Sequence, residues 1–339
     1  MSGLKVETEI IPPSSAQDRK NHRFVEMQKY PEPFATASMA RQILREVKIL
    51  RLMKHENTCT LFQKIHLKIQ SLTNSSYLVT EQMEIDLQSL LRLKPIQGEF
   101  VQYFLYQIMR GLKYIHSADV VHGDLQPCNI LLNRNCDLKI KGYGKPRVHG
   151  PWMSRYACTQ YYTAPEVMLA GQGYDETIDV WSAGCMFAEL LQGKALFPGL
   201  NDIHQFHLIT EMLGTPSETV TERMTSGNAS NFIQSLPKHA GQPLSNILPG
   251  IDPKATELLE NMLVFDPRER VTASEALHFA YLAPYHDPTD EPEAEEKFDW
   301  TFNTANHSVD VWKAELQAEI LDYHREETLR ETVQRWLKG

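Results

Sequence analysis

Three short motifs between Val121 and Glu166 gather the residues of this chain that could do chemistry: HGDLQPCN, KGYG and APE, in that order. Asp124 brings a carboxylate and Asn129 an amide, and both are oxygen groups of the kind that accept protons or face hard cations. Gly142, within GYG, has no side-chain oxygen to offer a metal, and Lys141 beside it would repel one. Each motif alone reads as an ordinary turn, and a tripeptide such as APE arises easily by chance. The ordered set is specific.

In order and spacing the set resembles the protein kinases, which carry HRDLxxxN on a catalytic loop, DFG ahead of the activation segment and APE after it. Phosphoryl transfer leaves a protein little covalent work, so catalysis rests on holding magnesium, phosphates and a hydroxyl nucleophile in line while developing charge is neutralised. The resemblance places Asp124 where the family's aspartate accepts the hydroxyl proton, and Asn129 where its asparagine holds one magnesium. Gly142 falls at the DFG aspartate. Magnesium takes only one or two protein carboxylates, so losing one removes much of the hold on it. Gln126 puts a neutral amide where the catalytic-loop lysine supplies a point charge. Gly123 replaces the arginine that pairs with a phosphorylated activation-segment residue. Taken alone, Gly123 also suits a kinase regulated without that arginine.

The elements that must position these residues are incomplete at the N-terminal end. The family covers the phosphates with a GxGxxG loop and follows it with a VAIK strand. Between Gly3 and Gly98 this chain has no glycine, and a backbone that must press against phosphate has no other supply of one. Val25 to Lys29, VEMQK, stands where the VAIK strand falls, which puts Gln28 at the phosphate-binding position. Lys29 reaches that place only if the strand slips or bulges, and otherwise is a surface lysine. Ser38 to Lys54 reads as a helix capped by Ser38, with Met39, Ile43, Val47, Leu50 and Met53 along one face. Glu46 on that helix matches the glutamate that pairs with the strand lysine, so with Gln28 as its counterpart it is a relic. Thr80 and the hinge-like EQM, with Gln82 and Met83, are where an adenine ring would be held. Phe100, Phe104, Ile108, Leu112 and Ile115 trace a second buried face, and Trp312, Leu316, Ile320 and Tyr323 a third, read as ordinary core.

Longer stretches narrow the resemblance. EPFATASMARQILREVKIL, FVQYFLYQIMRGLKYIHSADVVH, DVWSAGCMFAELLQGKALFPG, LVFDPRERVTASEAL and APYHDPTDEPEAEEKFDW are similar to the fungal stress-activated MAP kinases of the high-osmolarity glycerol (HOG) pathway, from about Pro33 to Tyr323. The resemblance implies that Ser154, Arg155 and Tyr156 occupy the TxY activation site, with Ser154 and Tyr156 as phosphate acceptors. Gln160 and Thr163 depart from expected arginines, so less cationic charge is present to hold those phosphates. The resemblance also implies that Thr159 faces substrate, that Asp179 anchors the catalytic-loop backbone, and that Glu166 and Arg270 fasten the end of the activation segment. Asp287, Asp290 and Glu291 resemble the common docking patch, which grips basic docking peptides of an upstream MAP kinase kinase, substrates or phosphatases. Outside that context, a charge run of this kind is a solvated face.

The chain has 339 residues, 42% of them hydrophobic, enough for one unit of the catalytic type. The resemblance implies an α+β class: a bilobal kinase-like fold with a truncated N-terminal β lobe and a mainly helical C-terminal lobe. The expected divisions are a tail over 1–22, a shortened lobe with its helix over 23–84, the larger lobe over 85–282, and the docking patch with a helical extension over 283–339. A net charge of -9 argues against general nucleic-acid or anionic-membrane binding and is compatible with basic peptide partners. Five cysteines without a CxxC pair read as reduced thiols. No apolar span reads as a signal or membrane helix. A monomer of the cytoplasm and nucleus is expected.

Two functional readings compete. In one the chain is a catalytically impaired pseudokinase that binds pathway partners through its docking patch. In the other it is an active Ser/Thr MAP kinase using ATP and magnesium, with Asp124 as base and Lys29 or another cation compensating. A third reading concerns the chain itself: an erroneous gene model that excised strands between Asn21 and Pro33 would shorten the lobe, yet leave Gly123, Gln126 and Gly142 as they are.

Overall fold

The computed structural model describes residues 15–18, 23–61, 75–93, 95–143, 159–169, 175–224 and 228–338. The elements in chain order are β1 (Ser15–Asp18), β2 (Arg23–Pro31), α1 (Ala37–Leu52), β3 (Ser75–Glu81), β4 (Ile85–Asp86), α2 (Leu87–Leu93), α3 (Gly98–Ser117), β5 (Ile130–Leu132) and β6 (Leu138–Ile140). They continue with α4 (Pro165–Met168), α5 (Thr177–Gln192), α6 (Asp202–Leu213), α7 (Glu218–Met224), α8 (Asn228–Ser235), α9 (Leu244–Ile247), α10 (Pro253–Met262), α11 (Ala273–Ala276) and α12 (Val309–Lys338). Among the described residues, two small antiparallel sheets beside a majority of helices give the α+β class expected from the sequence.

The chain divides into two compact units, Met1–Glu84 with Phe298–Gly339, and Ile85–Lys297. The region expected as one piece from 283 onward is therefore shared: the acidic patch belongs to the helical unit, and α12 to the unit that holds the first sheet.

In the first unit, β1, β2 and β3 form an antiparallel sheet in that order. Its register sets Glu26 across from Thr80, Gln28 from Leu78, Lys29 from Tyr77 and Tyr30 from Ser76. Helix α1 begins at Thr36, whose hydroxyl accepts the Met39 N–H at 3.2 Å. The cap is thus Thr36 rather than Ser38, because an N-cap hydroxyl serves the N–H three residues on and Thr36 holds the extended backbone this needs. Ala40, Ile43, Leu44, Val47 and Leu50 form the buried stripe, and Met53 is buried just past the end. Met39 is exposed, one turn too early to meet the core.

Helix α12 lies along α1. Trp312, Leu316 and Ile320 recur every four residues and are buried, and Tyr323 donates its phenol to the Leu61 carbonyl at 3.2 Å. The rim is ionic: Lys48 and Arg51 both reach Glu319, and Arg51 also reaches Asp322. Arg41 and Arg45 bond to Asn303 in the turn before α12.

The second unit is built round α5, buried along almost its whole length from Thr177 to Leu190. Trp181 stacks on Phe197 with centroids 6.1 Å apart, and the Arg270 guanidinium lies 5.1 Å from the Trp181 ring. Helix α3 supplies Phe104, Ile108, Leu112 and Ile115 to this core, whereas Phe100, expected in the same row, is exposed in the first turn. Gln107 on α3 spans the β5–β6 turn, donating to the Cys136 carbonyl and accepting from the Leu138 N–H. That side chain fixes the hairpin on which the catalytic-loop motif rests. Among the described residues no helix is long and apolar enough to cross a membrane.

Candidate active site

The site in the helical unit starts from a carboxylate held out of water. Asp179, in the first turn of α5, is fully buried. Its Oδ1 accepts the Gly123 N–H and its Oδ2 the His122 N–H, each at 2.8 Å, and His116 Nε2 lies 2.9 Å from Oδ2. A buried carboxylate without such donors would be prohibitively costly, so the loop is bound to α5 by the carboxylate's need for them. Burial on its own raises the Asp179 pKa. The His116 hydrogen bond and charge, together with the Gly123 N–H, outweigh it and hold the carboxyl below its ordinary value.

His122 carries the constraint onward. Its Nδ1 accepts the Asp124 N–H at 3.3 Å, so the protonated nitrogen is Nε2, which donates to the Lys141 carbonyl at 2.8 Å. The Lys141 N–H in turn donates to the Asn129 carbonyl at 2.9 Å. Tyr143 sets its ring edge-on to His122, 5.2 Å between centroids, and gives its phenol to the Ile140 carbonyl.

These bonds bring Asp124 and Asn129 together. The Asn129 amide nitrogen donates to the Asp124 carbonyl at 2.7 Å and to its carboxylate Oδ2 at 3.2 Å, and the Gln126 amide donates to Oδ1 at 3.1 Å. Asp124 is buried, and each of its carboxylate oxygens accepts from a neutral amide. Where the sequence showed only a missing lysine charge, Gln126 turns out to be a partner of Asp124.

The two glycines read as losses also have backbone reasons to be glycine. Gly123 sits at φ +71° and Gly142 at φ +97°, the left-handed region that L side chains rarely adopt. A Cβ on Gly123 would meet nothing within 4 Å. One on Gly142 would lie 3.1 Å from Cγ and Oδ1 of Asn129 and 3.2 Å from its Nδ2. The Asn129 amide therefore packs where a side chain at 142 would begin.

The activation-segment residues Ser154, Arg155 and Tyr156 lie outside the described residues. Thr159 opens a short 3₁₀ turn that ends at Tyr162. That turn is bonded into the body: Gln160 donates to the Gly199 carbonyl, Tyr162 to Glu189 at 2.6 Å, and Ser182 to the Tyr162 carbonyl at 2.7 Å. Glu166 and Arg270 form a buried bidentate pair at 2.7 and 3.0 Å, and Arg270 also donates to the carbonyls of Thr177 and Val264.

Of the nucleotide-side residues in the first unit, Thr80 is half-buried on β3 and bridged to Leu61. Gln82 is exposed and Met83 half-buried just past that strand. Lys29 and Gln28 are both exposed, and strand alternation puts Lys29 on the face opposite Gln28 and Tyr30. No slipped register brings Lys29 round. Glu46, expected to be a relic, is buried and accepts a 2.5 Å hydrogen bond from the Tyr30 phenol. The sequence reading missed Tyr30, although its place two residues beyond Gln28, on the same strand face, was the available signal.

In the acidic patch, Asp287 caps a short turn by accepting from the N–H and hydroxyl of Thr289. Asp290 pairs with Arg110 at 3.0 Å, and its side chain remains 69% exposed. Glu291 corrects the sequence reading. Its side chain is 0% exposed and turned inward onto His286 at 2.8 Å, with Lys113 at 3.7 Å, so the outward carboxylates are those of Asp287 and Asp290.

Comparison with known proteins agrees with this geometry. The protein kinase domain family matches residues 14–282. Similar proteins include the mitogen-activated protein kinase HOG1 of Colletotrichum orbiculare, 50% identical over 96% of this chain and 90% of that protein. Hog1 of Zymoseptoria tritici is 53% identical over 91% of this chain and 86% of that protein, and hog-1 of Neurospora crassa 52% identical over 92% and 86%. These matches extend through both units, and the α+β fold is that of a protein kinase. Within the protein kinases, the chain belongs to the fungal HOG-pathway MAP kinase family.

Two outcomes follow from the loop geometry. Gly123→Ala should cost about 1 kcal/mol from backbone strain alone, whereas Gly142→Ala adds the Asn129 clash and should lower the urea midpoint further. Equal midpoints for the two variants would contradict the packing described. The second outcome concerns acid. A carboxyl whose pKa is depressed on folding stabilises the protein above its unfolded value, and that contribution is lost as pH falls through the folded value. Wild-type stability should therefore fall more steeply than that of Asp179→Asn below about pH 5, as read by urea midpoints across that range.

Proposed function

We propose that this protein acts in fungal stress signalling as a MAP kinase family member that engages pathway partners through Asp287 and Asp290 and transfers phosphate poorly. The observation that carries the reading is Gly142: it brings no oxygen to the metal position, and a Cβ there would crowd the Asn129 amide at 3.1 Å. ATP and magnesium are the cofactors the family implies. Of the two family magnesium positions, Gly142 offers no ligand, whereas Asn129 gives its amide nitrogen to Asp124 and retains its Oδ1 as the oxygen that would face a cation. Lys29, exposed on the other face of its strand, gives no support to a compensating phosphate contact. Adenine contacts by Thr80, Gln82 and Met83, and substrate facing by Thr159, remain part of the proposal as family positions. So do phosphate acceptance at Ser154 and Tyr156, a monomeric state, and residence in the cytoplasm and nucleus.

The second reading is an active Ser/Thr kinase that transfers the ATP γ-phosphate to protein Ser/Thr. The comparisons taken by themselves favour it, since the similar proteins at about half identity are all named MAP kinases. Asp124 and Asn129 are also adjacent, and the Glu166–Arg270 pair is intact.

Magnesium-dependent ATP turnover on a generic MAP kinase substrate separates the two, with Asp124→Asn as the control for a contaminating kinase. The expected result is no turnover above the control; turnover that the substitution abolishes makes the enzyme reading the correct one. Docking is tested separately by fluorescence anisotropy with a labelled basic docking peptide. Asp287→Asn with Asp290→Asn should weaken binding about tenfold at low salt and less at high salt. Unchanged affinity would reduce the patch to a solvated face.

A further inference from the structure

We propose that Tyr30 is a positioning residue that fastens α1 to the sheet, its phenol holding the Glu46 carboxylate that this family holds with a strand lysine. The proposal is independent of whether phosphate is transferred. Three observations carry it. Tyr30 lies on the same face of β2 as Gln28, two residues further along, or about 6.6 Å of strand, so its longer reach brings the hydroxyl back to α1. The donor and acceptor are 2.5 Å apart. Glu46 is buried and Tyr30 half-buried, where a phenol–carboxylate bond is little weakened by water.

The chemistry differs from that of a lysine latch in one respect that matters. An ammonium placed between a glutamate and nucleotide phosphates is shared by both, so the helix position follows the nucleotide. A phenol is neutral and has no such second anion to serve. Burial, and then the charge of Glu46, push its pKa upward, so it remains a protonated donor through the accessible pH range. On its other flank α1 is tied to α12 by Lys48 and Arg51 with Glu319. The helix is thus held from both sides by bonds made within one unit, none of which involves a nucleotide.

The test is a double-substitution cycle, Tyr30→Phe, Glu46→Ala and the pair, on the full chain. The readouts are hydrogen exchange of the α1 amides and the melting temperature. Tyr30→Phe keeps the ring and removes only the donor. It should speed exchange over residues 43–50 about tenfold or more and lower the melting temperature by about 2–4 °C. Adding Tyr30→Phe to Glu46→Ala should change neither readout further. Glu46→Gln, a weaker acceptor, should act in the same direction with smaller effect, which keeps the test usable if Glu46→Ala does not fold. ATP with magnesium should leave wild-type exchange in α1 unchanged. Additive effects in the cycle, unchanged α1 exchange in Tyr30→Phe, or protection of α1 by nucleotide would each overturn the proposal.

Discussion

The catalytic loop depends on one buried carboxylate. Asp179 takes two backbone N–H groups from successive residues and a histidine ring, so the His122–Gly123 peptide is fixed to α5. From there His122 spans to Asp124 and Lys141, and Lys141 to Asn129, so the loop and the segment after β6 are held in one register. Removing one donor would leave a buried charge partly unsatisfied, a penalty of about 1–3 kcal/mol or more. The constraint acts on folding, not on chemistry. It places Asp124 and Asn129 equally well whether or not a phosphoryl group is ever transferred there, which is why fold and activity have to be argued separately.

A common pattern links the altered positions. Two carboxylates of the family motif accept from neutral donors here. Glu46 accepts from the Tyr30 phenol, and Asp124 accepts from the amides of Gln126 and Asn129. A buried acceptor left without a partner is costly, while neutral donors satisfy it without adding charge. The backbone follows the same logic. An arginine at 123 would have to sustain φ +71°, at about 1–2 kcal/mol, and glycine holds that angle without strain. The residues at these altered positions therefore leave the scaffold satisfied instead of frustrated.

The sequence made the fold legible because the motif order and the helical periodicities are long-range patterns that short-range errors do not destroy. The errors came at edges. Met39 and Phe100 continue an apolar row in the sequence, but each lies in a first helical turn beyond the reach of the core. Thr36 displaced Ser38 as the cap because the backbone angle decides which hydroxyl can accept. Glu291 looked like its acidic neighbours, and nothing in its spacing foretold that it turns inward to His286. Tyr30 could have been found by strand parity, since Gln28 and Tyr30 share a face and Lys29 does not. Its bond to Glu46 needed the three-dimensional distance.

The survival of Asp124 and Asn129 is the strongest sequence argument for activity, and both residues also hold the loop together. Asn129 has structural work: its side chain closes onto the Asp124 carbonyl and its own carbonyl receives Lys141. Asp124 likewise anchors two amides. Both residues therefore serve the loop's own bonding at the same positions where the family does its chemistry. A side chain at 142 would be strained at φ +97° and its Cβ would lie 3.1 Å from the Asn129 amide, which would have to give by a few tenths of an ångström. Glycine at 142 and the packing of the Asn129 amide thus suit one another, and the loop's own bonding accounts for both.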